Sequence, residues 1–295
     1  MKDTRVVVVM GGDPTDRAER TADVISRTGG TALVLTGHPD AVDSRLDSTE
    51  GGTVEVRVDD PMARLEAYTS GAADPHDDLL AALAAGGDSP LSAVLGWEYA
   101  RRATAAGYWD VVVVELDGDL AAVRRLASAG ELASFVESRW PAHVRFASMA
   151  AGDLADVRVR EAHRLAQLAA DVASFLAGPV EVTVAGRAPE RTVAMAELAR
   201  GGVRPQIEAD TDGSYVVAYP SPTMPSGPAA VDGDMLTLDH DGFRAVLPLP
   251  ALLSRCVLIG SGYDDATGRV VVRFEPDPDL WPPNLVPSGF VGRAG

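Results

Sequence analysis

The residues that could do chemistry in this chain are Asp13, Asp16, His38, Asp40, Glu115, Asp117 and Asp119. Each lies at the end of, or closely after, a strand-like apolar run: RVVVVM at 5–10, TALVL at 31–35 or WDVVVVEL at 109–116. In an open α/β sheet such positions converge at the carboxyl ends of neighbouring strands, where ligands bind. Glu115, Asp117 and His38 are the candidate catalytic groups there, of types suited to general acid–base work, a divalent cation or a cationic ligand. The blander reading, taken as the expectation, is that these are solvated loop acids in a chain that is acidic everywhere; no residue is assigned to a metal. Gly11, Gly12, Asp13, Thr15, Asp16 and Arg17 occupy the turn where a phosphate loop would lie. That loop needs GxxxxGK[ST], with glycines that let backbone N–H groups cradle phosphate and a lysine that neutralises it. Here two aspartates stand at the turn, and Lys2, ahead of the strand, is the only lysine in the chain.

The elements that position these residues follow from pattern. A continuous β-branched run reads as a parallel strand buried on both faces. Gly11-Gly12 makes the turn, and Thr15 or Asp16 caps a helix carrying Ala18, Ala22, Val24 and Ile25. Residues 36–40 form the loop after the second strand, 53–58 a short strand and 60–71 a helix. Residues 72–90 are a surface excursion, with a helical turn or two at 79–85. A helix over 92–106 leads into the central strand at 109–116. Helices over 120–126 and 131–136, a strand at 144–148, a long helix over 156–176, a strand at 180–185, a helix at 189–199 and a strand at 215–219 follow. Strands alternating with helices give an α/β fold with a doubly wound, mostly parallel sheet.

Beyond residue 219 the texture changes. PSPTMPSGP at 220–228 is a linker, and only short strands come after it, at 235–238, 243–247, 256–261 and 269–274. The expected organisation is one α/β domain over 1–219, a linker over 220–228, a small antiparallel β domain over 229–282 and a tail over 283–295. Trp97, Trp109, Trp140 and Trp281 read as core or domain-seam packing, and His143, His163 and His240 as partly exposed or strand-end positions.

Composition narrows the function classes. The 295 residues carry a net charge of −17, with 43 Asp and Glu against 26 Lys and Arg. Such a surface repels nucleic acid and anionic membrane. Cys256 is the one cysteine, which leaves no intramolecular disulfide and no CxxC metal site. No stretch approaches the apolar length of a membrane span and no signal core is read at the start, so a cytoplasmic, soluble protein is expected. Arginine in place of lysine, with heavy Ala, Gly, Asp and Val, points to a GC-rich, actinobacterial type of genome.

In this order the segments resemble the anion-transporting ATPase family, which includes the arsenical-pump ATPase (ArsA) and the tail-anchored-protein targeting ATPases. Residues 109–141, WDVVVVELDGDLAAVRRLASAGELASFVESRWP, are similar to that family's YDVVVVDxAPTGxxLRLLxLPExLxxYLxRxWP and align with it without a gap. Residues 33–46 resemble LLVSTDPAHSLSDxL, and Pro189-Glu190-Arg191 its PERM segment. Residues 233–282 are similar to the alpha-crystallin-like domain that ends many bacterial members. The resemblance implies a P-loop-NTPase-like fold with ATP and magnesium as ligands. The departures from it are systematic. Where the family has GKGGVGKT, this chain has Met10-Gly11-Gly12-Asp13-Pro14-Thr15-Asp16-Arg17, without either lysine. His38 replaces the acid of STDP, Glu115 stands at the first Asp of DxAPTG, Leu116-Asp117-Gly118-Asp119 replaces the rest, and Arg124 matches the arginine of LRLL. The family's zinc- and arsenite-binding cysteines have no counterpart, and its client-binding helical insert is reduced to about 155–176. The expectation is a pseudo-ATPase with ATP and magnesium disfavoured, acting through protein or client contacts as a homodimer or beside an intact ATPase paralogue. The alternatives are a residual ATPase or an enzyme that reuses the acidic pocket.

Overall fold

Four consecutive valines after Arg5 can be buried together only in a strand covered on both faces, and β1 (Arg5–Gly11) takes that place. The computed structural model describes residues 4–46, 52–70, 89–150, 157–186, 190–203, 205–210, 213–221, 223–240 and 243–281. The expected excursion at 72–90, apart from its last two residues, and the tail at 283–295 lie outside them. Contacts divide the chain into Met1–Ala196 and Glu197–Gly295.

In the first unit β1 joins β2 (Ala32–Thr36), β3 (Val54–Val58), β4 (Val111–Asp117) and β5 (Val180–Val184) in one sheet. The order is β3-β2-β4-β1-β5, and every pairing is parallel. Alternation of side chains sends Val7, Val9, Val34, Val111 and Val113 to one face, under α1 (Pro14–Thr28) and α2 (Pro39–Leu46). On the other face lie α4 (Pro90–Ala105), α5 (Asp119–Arg139) and α7 (Val157–Ala177), with α3 (Pro61–Ser70) on α4 and α6 (Ala142–Ala150) on α7. The sheet is therefore wound on both sides, as expected. From β1 the chain crosses to β2, and from the adjacent β4 it crosses the opposite way to β5. Strands β1 and β4 thus flank the switch point, the place in such sheets where ligands bind.

In the second unit β11 (Cys256–Asp264), β12 (Arg269–Pro276), β7 (Tyr215–Pro220) and β6 (Gln206–Ala209) form one antiparallel sheet. A second is built from β10 (Phe243–Pro248), β9 (Met235–His240) and β8 (Ala230–Asp232). Helix α8 (Glu190–Ala199) carries the boundary between the units.

Several expectations are corrected. The strand at 215–219 is not part of the parallel sheet: β7 pairs antiparallel with β12 and β6. Residues 144–148 are helical within α6, where Arg145 turns inward and donates to Glu137 and to the Trp140 carbonyl. A five-residue strand signal that rests on Val144 and Phe146 is too short to resist such an anchor. The two helices expected at 120–126 and 131–136 are one, α5, because Ala127, Ala129, Leu132 and Val136 continue its buried stripe through Gly130. The α1 cap is Asp13, whose side chain accepts the Thr15 and Asp16 N–H groups, while Pro14, with no N–H to satisfy, suits the first helical position. Pro39 and Asp40 belong to α2 and not to the preceding loop. Trp97 is the one tryptophan in the core, and His240 is buried and stacked on Phe243 at 5.0 Å.

Leu33 of β2 is 1% exposed between strands that are themselves covered. Leu33→Ala is expected to destabilise the first unit by about 2–5 kcal/mol. Val58→Ala, at a site 61% exposed, is expected to stay within about 0.5 kcal/mol. Urea unfolding followed by tryptophan fluorescence measures both.

Candidate functional site

Only Gly12 and Asp13 lie between the end of β1 and the start of α1. Asp13 is extended (φ −92°, ψ 122°), and its Oδ1 accepts the Thr15 N–H at 2.7 Å and the Asp16 N–H at 3.4 Å. Those two backbone hydrogen bonds hold its carboxyl below the ordinary aspartate range. A helix N-terminus is an anion site because its first N–H groups point outward. Here the chain's own carboxylate takes two of them, and Pro14 has none to give. Gly11 serves close approach: a Cβ there would stand 3.1 Å from the Ala185 carbonyl oxygen, just beyond β5.

Arg17, in the first turn of α1, folds back over this turn and is 1% exposed. Its Nη1 donates to the Gly11 carbonyl and its Nη2 to the Asp117 carboxylate. The Gly11 carbonyl also accepts the Gly118 N–H at 3.1 Å, tying the turn to the end of β4. The other Asp117 oxygen faces His38 Nε2 at 3.3 Å, and both of these side chains are about half exposed. The strand ends over the switch point are thus filled by an internal ion pair.

Beneath it Glu115 is 3% exposed. It accepts from the hydroxyls of Thr21 on α1 and of Thr36 on β2, the latter at 2.7 Å. The Thr36 hydroxyl in turn accepts the His38 N–H at 3.0 Å, and its carbonyl accepts the Asp59 N–H at 2.7 Å. Asp59, just after β3, receives Arg64 of α3 on one oxygen at 2.5 Å and Arg125 of α5 on the other at 2.6 Å. Burial pushes its carboxyl up, but the Arg125 and Arg64 charges outweigh this and hold it below the usual range.

Of the expected site residues, Arg17, His38 and Asp117 meet directly, and Glu115 lies one layer below. Gly12, Thr15, Asp16 and Asp40 are exposed, and Asp119 opens α5. Among the described residues no three His, Cys, Asp or Glu could share a metal ion. Sequence reasoning missed Thr21, Thr36, Asp59, Arg64 and Arg125. One signal was available: Arg17 and Thr21 fall on the same α1 stripe as Val24 and Ile25, so two polar residues lead an apolar face.

No protein-family model matches the chain. A segment of 50 residues is 46% identical to an uncharacterized protein of Streptomyces coelicolor. The match covers 17% of this chain and 12% of that protein's length. Among the described residues no helix is long and apolar enough to cross a membrane.

Asp117→Asn leaves the buried Arg17 charge without its carboxylate. Because Asp117 is 60% exposed, the expected loss is modest, about 1–2 kcal/mol in denaturant unfolding. Asp59 sets a pH dependence. Its folded value lies below an unfolded value near 3.9, so its contribution is complete above about pH 4 and is lost as pH falls through the folded value. Asp59→Asn is expected to flatten the acid limb of stability below about pH 4, read as the urea midpoint across a pH series.

Proposed function

We propose that this chain is an ArsA-like, P-loop-derived module that has given up nucleotide hydrolysis and acts through protein contacts, as a pseudo-ATPase subunit in the cytoplasm. The observation that carries the reading is the closed turn after β1. Asp13 takes the N–H groups of Thr15 and Asp16, and Arg17 is committed to Gly11 and Asp117. A polyphosphate would have to displace both arrangements and then sit beside Asp13 and Asp117. Each such close pair of negative charges costs about 1–4 kcal/mol at effective dielectric constants between about 80 and 20. Those terms are large enough to remove ordinary nucleotide affinity.

The switch-point topology and the position of the turn over it support descent from a nucleotide-binding sheet. The contact surface is assigned to the second unit. There β11 is an outer strand of nine residues with Val257 and Ile259 about half exposed, and an open strand edge can accept another chain. The partner in this reading is a second copy or an intact ATPase paralogue.

Isothermal titration with ATP and ADP, with and without magnesium, tests the proposal. The expected result is no magnesium-dependent binding. Micromolar, magnesium-dependent binding that is lost in Arg17→Met would overturn it.

A further inference from the structure

We infer that β11 pairs antiparallel with β11 of a second copy, so that its sheet runs on across two chains; this rests on the second unit being the contact surface and names the partner. An outer strand is normally blunted by shortness, charge or proline. Of the outer strands here, β3 carries Glu55 and Arg57, β5 carries Glu181 and β10 carries Arg244. Strands β6 and β8 are four and three residues long. Strand β11 has nine residues and neither charge nor proline before Asp264. Among the described residues it is the outer strand left without such protection. Val257 and Ile259 are about half exposed on it, and Gly260, Ser261 and Gly262 are exposed.

The inner face of β11 is committed within the unit. Leu258, Ser261 and Tyr263 stand opposite the buried Phe274, Val272 and Val270 of β12. The Ser261 hydroxyl accepts the Ala229 N–H, and the Tyr263 hydroxyl donates to the Ser221 carbonyl, both at 3.0 Å. Val257, Gly260 and Gly262 therefore point outward, and Ile259 joins them as the extra residue of a bulge between Leu258 and Gly260. A bulge can close an edge, but this one sits at the strand's middle, where a two-fold axis lays it against its own copy. Residues that face each other across an antiparallel pair share a face. Along the whole strand one register meets that condition: Ile259 opposite Gly260 of the second copy, Leu258 opposite Ser261, Val257 opposite Gly262 and Cys256 opposite Tyr263. The exposed apolar side chains then face glycines at which an added Cβ would meet nothing within 4 Å, so the room for them is present. Arg255, just before the strand, falls beside Asp264 at its end, so the charges at the two ends are complementary.

Sedimentation equilibrium of the full chain, with amide hydrogen exchange over a concentration series, is the test. The expected result is a monomer–dimer equilibrium in which the amides of 256–264 exchange more slowly as the dimer fills. Ile259→Lys sets a charge beside the axis and should weaken the dimer on the order of tenfold or more. Gly262→Val fills the space that Val257 of the second copy needs, so it should weaken the dimer similarly. Because that space is open in the single chain, the same change should leave thermal unfolding of the monomer no lower. Met62→Lys, at an exposed site on α3, should leave association unchanged. A chain that stays monomeric up to roughly 100 μM, a dimer insensitive to both Ile259→Lys and Gly262→Val, or a dimer without slower exchange in β11 would each overturn the pairing. A monomer that binds no nucleotide removes only the second copy as partner and leaves the proposed function standing. A dimer that binds ATP with magnesium does the reverse, so the two failures are distinguishable.

Discussion

A buried guanidinium cannot stand without anions or carbonyls around it, and Arg17 sets that requirement at the centre of this sheet. Its two partners come from different strands, the Gly11 carbonyl from β1 and the Asp117 carboxylate from β4. Satisfying it therefore fixes the tightness of the turn, the first turn of α1 and the end of β4 together. The short turn has the same origin, because Asp13 caps the helix immediately and Pro14 starts it. An ammonium group on a flexible stem at this position would point outward to a ligand, whereas the planar fork of arginine binds two internal acceptors at once.

The same principle runs along the rest of the strand ends. Glu115 is buried on hydroxyls from α1 and β2, Thr36 links it to His38 and to the backbone of Asp59, and Asp59 holds two arginines. In a strongly acidic chain, basic side chains are drawn to the few carboxylates that lie inside. Polar groups that would line an open ligand site elsewhere are here partnered with each other.

The parallel sheet was legible because its signal is local: runs of valine and leucine, with glycine at the turns, specify strands buried on both faces. The positions of His38, Glu115 and Asp117 over the strand ends were legible for the same reason. What was not legible depends on distant partners. Nothing near residue 145 reveals that Arg145 turns inward and holds a helix where Val144 and Phe146 favour a strand. Strand β7 has the composition of a parallel strand, and only β12, some fifty residues later, recruits it into another sheet. Arg17 reads as a residue of the turn, and its burial shows only once Asp117, a hundred positions away, is placed beside it. Arg64 and Arg125 gave no signal, since their meeting depends on the packing of three helices around Gly96.

Strand order also governs how the chain comes off the ribosome. Strand β1 sits between β4 and β5, so its first partner is more than a hundred residues downstream and its second is complete only at Val184. At roughly 5–20 residues per second, the RVVVVM segment waits on the order of five to twenty seconds for its first strand neighbour and ten to forty for its second. It is apolar, β-prone and uncharged after Arg5, the kind of segment that pairs with whatever strand it meets. Nascent chains of this protein are thus most exposed to self-association before residue 184 emerges. The stage that needs protection is therefore the one before β5 is made, and not the finished fold.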